Sequence, residues 1–307
     1  MPKMPAAVRA LPLLRGAVLP WRDLVELVKP RVVALMMFTV IVGMVLAAPA
    51  WPPWPLLTFG TLGIGLVAAG AAAANHVIDR RIDALMVRTR GRPLPRGALG
   101  VPQAALFAGV LGVAGEGLLL WVSNALCAAL TLASLLGYAV VYSLLLKPRT
   151  PQNIVIGGAA GAAPPLLGWV AVSGQVEPGA LVLFLIILVW TPPHFWALAI
   201  HRRDDYARAG IPMLPVARGV AFTSSRILHY SLALWLVSVL PVAVGMSGGV
   251  YLFGALVLGA RFVHFAWRLR RDSRLAMPTF RYSIVYLLVL FALMLVDHGL
   301  AAAGWIA

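Results

Sequence analysis

Asn75, Asp79 and Asp83 recur at intervals of four residues at the end of an apolar run over 56–74. On an α-helix each such step turns the side chain by about 40°, so the three share one stripe within roughly 12 Å. Arg80, Arg81, Arg88, Arg90, Arg92 and Arg96 accompany or follow them. Oxygen ligands on one face beside many cations suit a Mg²⁺–diphosphate site, because Mg²⁺ takes one or two carboxylates together with phosphate oxygens. Ionisable groups at the edge of an apolar run are costly and so are functional candidates. Asn75, Asp79 and Asp83 are therefore read as metal ligands and catalytic residues. Helix capping or ion pairing with a nearby arginine is the competing explanation.

A second acidic pair, Asp204 and Asp205, lies in the other half of the chain within His201-Arg-Arg-Asp-Asp-Tyr206. Two acidic loops facing each other across a bundle opening could hold two Mg²⁺ ions between them. Such ions, with cationic clamps, make diphosphate a competent leaving group. Capping and solvated ion pairs remain the alternative for this pair. Arg88, Arg90, Arg92, Lys147 and Arg149 are the diphosphate-clamp candidates, since guanidinium forks fit phosphate oxygens and ammonium supplies a point charge. Membrane topology alone accounts for any one of them. Pro93 and Pro148 fix the backbone beside Arg92 and Lys147.

Histidines divide by setting. His194 sits in Trp190-Thr-Pro-Pro-His-Phe-Trp196, where the paired prolines are expected to break a helix and line a cavity with irregular backbone. A neutral imidazole there could ligate a haem iron or bond a propionate; a satisfied core histidine is the alternative. His76 and His201 flank the two acidic clusters, where contact with diphosphate or metal is open to them, whereas His229, His264 and His298 stand on apolar backgrounds and read as structural or interfacial.

These residues need a scaffold, and the composition names it. Of 307 residues 61% are hydrophobic and 11% charged, which leaves too little polar surface to cover a soluble domain. Nine apolar runs are each long enough to span a bilayer as a helix: 32–49, 56–75, 103–122, 124–146, 153–173, 180–200, 227–246, 249–267 and 282–304. The reading is an all-α, polytopic membrane protein: nine transmembrane helices around a central cavity with cytoplasmic cap loops. Residues 1–30 form a cytoplasmic N-terminal segment in which 21–28 is an interfacial helix ahead of Pro30. Residues 31–307 form a single transmembrane domain.

The net charge of +15 is distributed by side, which argues against nucleic acid as a partner. Lys and Arg fall before the first span and in every second loop, and the intervening loops near 49–55, 121–124, 173–179 and 246–249 hold none. That is the positive-inside pattern, with the N-terminus cytoplasmic and the C-terminus outside. Arg268 to Arg281 suit contact with anionic lipid. Cys127 is the only cysteine and lies in an apolar run, which excludes a disulfide or a cysteine-based metal site. The first thirty residues hold no secretory h-region with a cleavage site, so no removable signal is expected.

With these residues in hand, the chain resembles the UbiA-type intramembrane prenyltransferase superfamily, and within it the branch that farnesylates haem. The matching strings are Lys29-Pro-Arg31, the Asn75–Asp83 stripe, Asp83-Ala-Leu-Met86, Arg88-Thr89 with Arg92-Pro93, and Thr150-Pro-Gln-Asn153 running into Gly157 and Gly161. Trp190 to Ala199 and Asp204 to Pro215 complete the set. The similarity covers about 28 to 300. The acidic stripe is common to the superfamily, and the Thr-Pro-Gln-Asn and Thr-Pro-Pro-His-Phe-Trp strings belong to the haem branch. Two departures stand out: Arg81 occupies a position that is often Asp, and a His201-x-x-x-Asp205 spacing replaces an Asp-x-x-x-Asp motif.

The resemblance implies farnesyl diphosphate as donor, haem B as acceptor and Mg²⁺ as cofactor. Asn75, Asp79 and Asp83 would hold the metal and diphosphate, with Asp204 and Asp205 opposite. It implies haem O as product, on the route to haem A for terminal oxidases. It also implies residence in the bacterial cytoplasmic (inner) membrane, and a haem A synthase or oxidase assembly protein as partner. Tyr138, Tyr142, Phe195 and Trp196 are candidates to stabilise an allylic cation through their faces, with packing as the alternative. A quinone-type prenyltransferase and a non-enzymatic transporter or haem-binding membrane protein are the competing functions.

Overall fold

The computed structural model describes residues 21–48 and 51–304, and among them every regular element is helical. The early cations Lys3, Arg9 and Arg15 lie outside the described residues, as does most of the expected N-terminal segment. Helix α1 (Trp21–Leu27) is short and α2 (Pro30–Leu46) follows it across a 52° bend. Eight further helices are long and apolar enough to cross a bilayer, and the bent pair makes up to nine. They are α3 (Leu56–Leu85), α4 (Val101–Val122), α5 (Ala125–Leu146), α6 (Asn153–Ser173) and α7 (Pro178–His201). After two short helices, α8 (Arg203–Arg208) and α9 (Leu214–Ala217), come α10 (Val220–Ala243), α11 (Gly249–Leu269) and α12 (Ser273–Ala302). The chain is a multi-pass membrane protein.

Local sequence sets the helix starts. Pro30 and Pro178 occupy first-turn positions, where a missing N–H costs nothing. Asn124 caps α5 by accepting the Cys127 N–H at 2.8 Å, and Asp272 accepts the Arg274 N–H at the start of α12. The spans packed at the centre are α3, α6 and α7, and α4 and α5 are the least covered. Helix α6 packs on α2, α5 and α7, and α12 closes back onto α2 and α7. Close approach of α2 and α6 depends on Gly43 and Gly168. A Cβ on Gly43 would lie 2.0 Å from the Pro165 carbonyl oxygen, and one on Gly168 would lie 2.1 Å from that of Val40. Small residues of this kind let helices pack where no hydrophobic effect drives them together.

Two expectations change. Helix α10 begins at Val220 and α12 at Ser273, well ahead of the apolar runs at 227 and 282. Each starts in the polar end of the bundle, where hydropathy gives no signal but backbone bonds still close. Pro192 and Pro193 also fail to break α7, which runs unbroken from Pro178 to His201. They remove the N–H groups that Leu188 and Val189 carbonyls would meet, a loss that neighbouring helices and side chains can absorb in a bundle.

Candidate active site

The acidic stripe is buried: Asn75, Asp79 and Asp83 are each 2–3% exposed, on the last turns of α3. Three separate elements converge on it. Lys147, at the end of α5, places Nζ 2.5 Å from Asp79 Oδ2. Arg92, in the α3–α4 connection, bonds Asp83 Oδ2 at 2.7 Å. Lys29, at the bend before α2, donates to Asn75 Oδ1 at 2.7 Å. The Asn75 amide in turn donates to Asp79 Oδ2 at 2.8 Å and to Ser143 Oγ at 3.0 Å.

This wiring leaves one oxygen over. Asp79 Oδ1 is buried and meets no hydrogen-bond donor among the described residues. A buried carboxylate oxygen without a partner carries a desolvation penalty, so it marks the place for a ligand. The donor set therefore fits a hard cation that takes carboxylate and phosphate oxygens. No cluster of three or more His, Cys, Asp or Glu able to hold a metal by itself occurs among the described residues.

Lys29 was not among the site residues read from the sequence, where it counted only as a topological charge and part of a matching string. Its backbone is left-handed, φ 51° and ψ 60°, the one such residue besides glycine among those described. Left-handed geometry at an ordinary residue costs about 1–3 kcal/mol and persists where surroundings enforce it. Burial first, and then the field of Arg92, pulls the Lys29 ammonium down to about 7, with Lys147 lowering it further against the opposing pull of Asp79 and Asp83.

The inner end of α5 is wound as a π-helix over Gly137–Leu146. Its wider turn presents Tyr138, Ser143 and Lys147 to the same site, and π segments recur at functional positions. Tyr138 and Tyr142 stack at 5.6 Å, and Lys29 Nζ lies 3.5 Å from the Tyr138 hydroxyl. Below this polar cluster opens an apolar cavity of about 180 Å³, lined by Lys29 and Tyr138 at its head and by Met36, Ala68, Ala72 and Leu167 among its walls. Phe195 lines it as well, whereas Trp196 is buried elsewhere, edge-on to Tyr230.

The second acidic pair splits. Asp205 is buried and pairs with Arg208, with Arg202 at 3.9 Å, while Asp204 is exposed. Neighbouring residues on a helix point about 100° apart, and on α8 Asp205 and Tyr206 take the inward side while Asp204 falls on the outer one. Tyr206 joins the two loops: it is buried, which raises its phenol, and Arg88 and Arg92 from the other loop act to lower it. Arg88, Arg90 and Arg149 are exposed at this end, and of the clamp candidates only Arg92 and Lys147 contact a stripe carboxylate.

His194 is fixed apart from the stripe. Its ring stacks between Trp190 at 4.2 Å and Phe280 at 4.5 Å, and Nδ1 lies 2.6 Å from Ser283 Oγ. Ser283 uses its own hydrogen on the Phe280 carbonyl, so Nδ1 carries the imidazole proton and Nε2 keeps its lone pair.

A buried acidic stripe with three cations, set over an apolar pocket in a helical membrane bundle, is the arrangement of an intramembrane enzyme. The chain belongs to the UbiA prenyltransferase family, whose model matches residues 36–296, and it is a prenyltransferase. It is 62% identical over 289 residues to a protoheme IX farnesyltransferase from Azotobacter vinelandii, covering 93% of this chain and 96% of that one. Among solved structures it resembles a digeranylgeranylglyceryl phosphate synthase, with TM-score 0.75, 18% identity, and coverage of 91% and 98%. It also resembles a UbiA homolog from Archaeoglobus fulgidus bound to DMAPP and Mg²⁺, with TM-score 0.60, 15% identity, and coverage of 89% and 99%.

Proposed function

We propose that this enzyme transfers the farnesyl group of farnesyl diphosphate to a vinyl group of haem B, with addition of water, to give haem O and diphosphate. The observation that carries the donor half is the bare Oδ1 of Asp79 on a stripe that Lys29, Lys147 and Arg92 contact at its other oxygens, above an apolar cavity. The acceptor half is supported by the name of the Azotobacter relative and by the free Nε2 of His194.

Asp79, Asp83 and Asn75 would hold Mg²⁺, with Asp205 serving a second ion from the facing loop. Bound there, the metal supplies charge neutralisation at the departing diphosphate. Lys29, Lys147 and Arg92 turn their charge toward the same oxygens as the allylic C–O bond lengthens, and Arg88, Arg90 and Arg149 add a cationic rim. Tyr138 and Phe195 offer ring faces to the allylic cation. The apolar walls keep water from that carbon until a vinyl carbon attacks it. Water then adds at the carbon next to the porphyrin, and its proton leaves with the diphosphate. His194 is the residue proposed to meet the haem.

The charged end is assigned to the cytoplasm on the distribution of Lys and Arg between loops, and the membrane to the bacterial inner membrane on the likeness to the Azotobacter relative. Residues 31–307 act as one transmembrane domain in this account. A haem A synthase or oxidase assembly protein is the proposed recipient of the product. Parallel incubations of farnesyl diphosphate with haem B and with 4-hydroxybenzoate test the acceptor. Mg²⁺-dependent diphosphate release with haem alone is expected, and release with the phenolic acid alone would move the chain to the quinone branch.

A further inference from the structure

We infer that His76 is a further ligand of the diphosphate, donating a hydrogen bond from its ring to a phosphoryl oxygen of the prenyl donor. The inference deepens the donor half of the proposed function and rests on it. His76 stands one residue after Asn75 and three before Asp79 on α3, and i,i+3 neighbours share a helix face. It is 2% exposed, and both ring nitrogens are buried without a hydrogen-bond partner among the described residues.

An imidazole in that state forfeits two hydrogen bonds that water would supply. Each buried, unmet polar group costs about 1–3 kcal/mol, so an apolar residue of similar size would suit the empty fold better. The charges that act on the ring are those of Lys29, Arg92 and Lys147, the three cations gathered on the acidic stripe. A ring set among cations wants an acceptor that those cations also attract, and the phosphoryl oxygens of a diphosphate are such acceptors. The hydrocarbon tail and the porphyrin vinyl groups offer no acceptor, and the haem propionates, which do, are set aside by a titration without haem. Asp79 Oδ1, left bare a turn further along, is an acceptor and so suits the cation that would accompany a diphosphate rather than the phosphate itself.

The test uses the donor alone, so that it stands apart from the choice of acceptor. The full-length enzyme, labelled with ¹⁵N-histidine in detergent micelles, is titrated with farnesyl S-thiolodiphosphate and Mg²⁺ in the absence of haem. The His76 ring signals, assigned by their loss in His76→Asn, are expected to shift on saturation, and farnesol is expected to leave them in place. Loss of one bond to a charged group predicts that His76→Ala weakens thiolodiphosphate binding about tenfold or more, and that His76→Asn, which keeps a donor, recovers most of it. His76→Leu is expected to weaken binding while matching or raising the melting temperature of the empty enzyme; a histidine kept for packing would lose both. Unshifted His76 signals at saturation, or wild-type affinity in His76→Ala and His76→Leu, overturn the contact while leaving the donor site standing. A wild-type enzyme that takes up no thiolodiphosphate overturns the donor site and the contact together.

Discussion

Lys147 and Asp79, 68 residues apart in the chain, meet at 2.5 Å, and the contact uses only Oδ2 of the carboxylate. The other oxygen stays bare, so one residue serves as both the internal anchor of α5 on α3 and the opening for a ligand. Asp79→Ala is expected to abolish turnover while the protein still folds and inserts. Lys147→Met leaves the carboxylate buried without its cation, a change worth about 3–5 kcal/mol in stability. Lower melting temperature and lost diphosphate binding in that variant are the expected pair of readouts; unchanged activity in Asp79→Ala would refute the assignment.

Lys29 is expected to be intolerant even of arginine. Its left-handed backbone and its bond to Asn75 fix both direction and reach, and a longer planar head does not fit that place. Lys29→Arg and Lys29→Met should each raise the KM for farnesyl diphosphate by about tenfold or more, as expected for a lost charged hydrogen bond. Steady-state kinetics at saturating haem measure this, and a wild-type KM in both would remove Lys29 from the donor site.

Gly157 tests the placement of the π-helical turn. A Cβ there would lie 2.3 Å from Cδ2 of Tyr142, so Gly157→Ala must push the ring that stacks on Tyr138. Overpacking of this kind costs about 1–3 kcal/mol. The variant is expected to lose activity, and Gly157→Ala with Tyr142→Leu to regain stability by thermal melting. A destabilisation that the second change leaves untouched would place the strain elsewhere.

His194 and Ser283 are expected to separate haem from diphosphate. His194→Ala should change the absorption spectrum of bound haem B and leave thiolodiphosphate binding as it was. Ser283→Ala removes the acceptor that fixes the Nδ1–H tautomer and should weaken the same spectral signature without erasing it. An unaltered haem spectrum in His194→Ala would leave His194 as a packing residue between Trp190 and Phe280.

The residues that the sequence made legible are those whose geometry is local. Asn75, Asp79 and Asp83 lie on one helix, so spacing alone aligns them, and long apolar runs with one-sided charge announce the bundle. Lys29, Ser143 and the sorting of Asp205 from Asp204 are different. They depend on where α2, α5 and α8 come to rest against α3 and α7, across separations such as the 46 residues from Lys29 to Asn75. A left-handed lysine before a proline leaves no mark in composition. The prolines of α7 misled for a related reason. Local rules count two backbone bonds as lost there, and the packing of α7 among α6, α10 and α12 holds the helix continuous regardless.

The most direct test of the account is the mass of the pigment after the enzyme has been incubated with haem B, farnesyl diphosphate and Mg²⁺ in H₂¹⁸O. A later-eluting haem is expected, heavier by one farnesyl group and one water, with ¹⁸O in the new hydroxyl, and no such product from Asp79→Ala. Unchanged haem from a folded enzyme, or a farnesylated haem without the labelled oxygen, would contradict it.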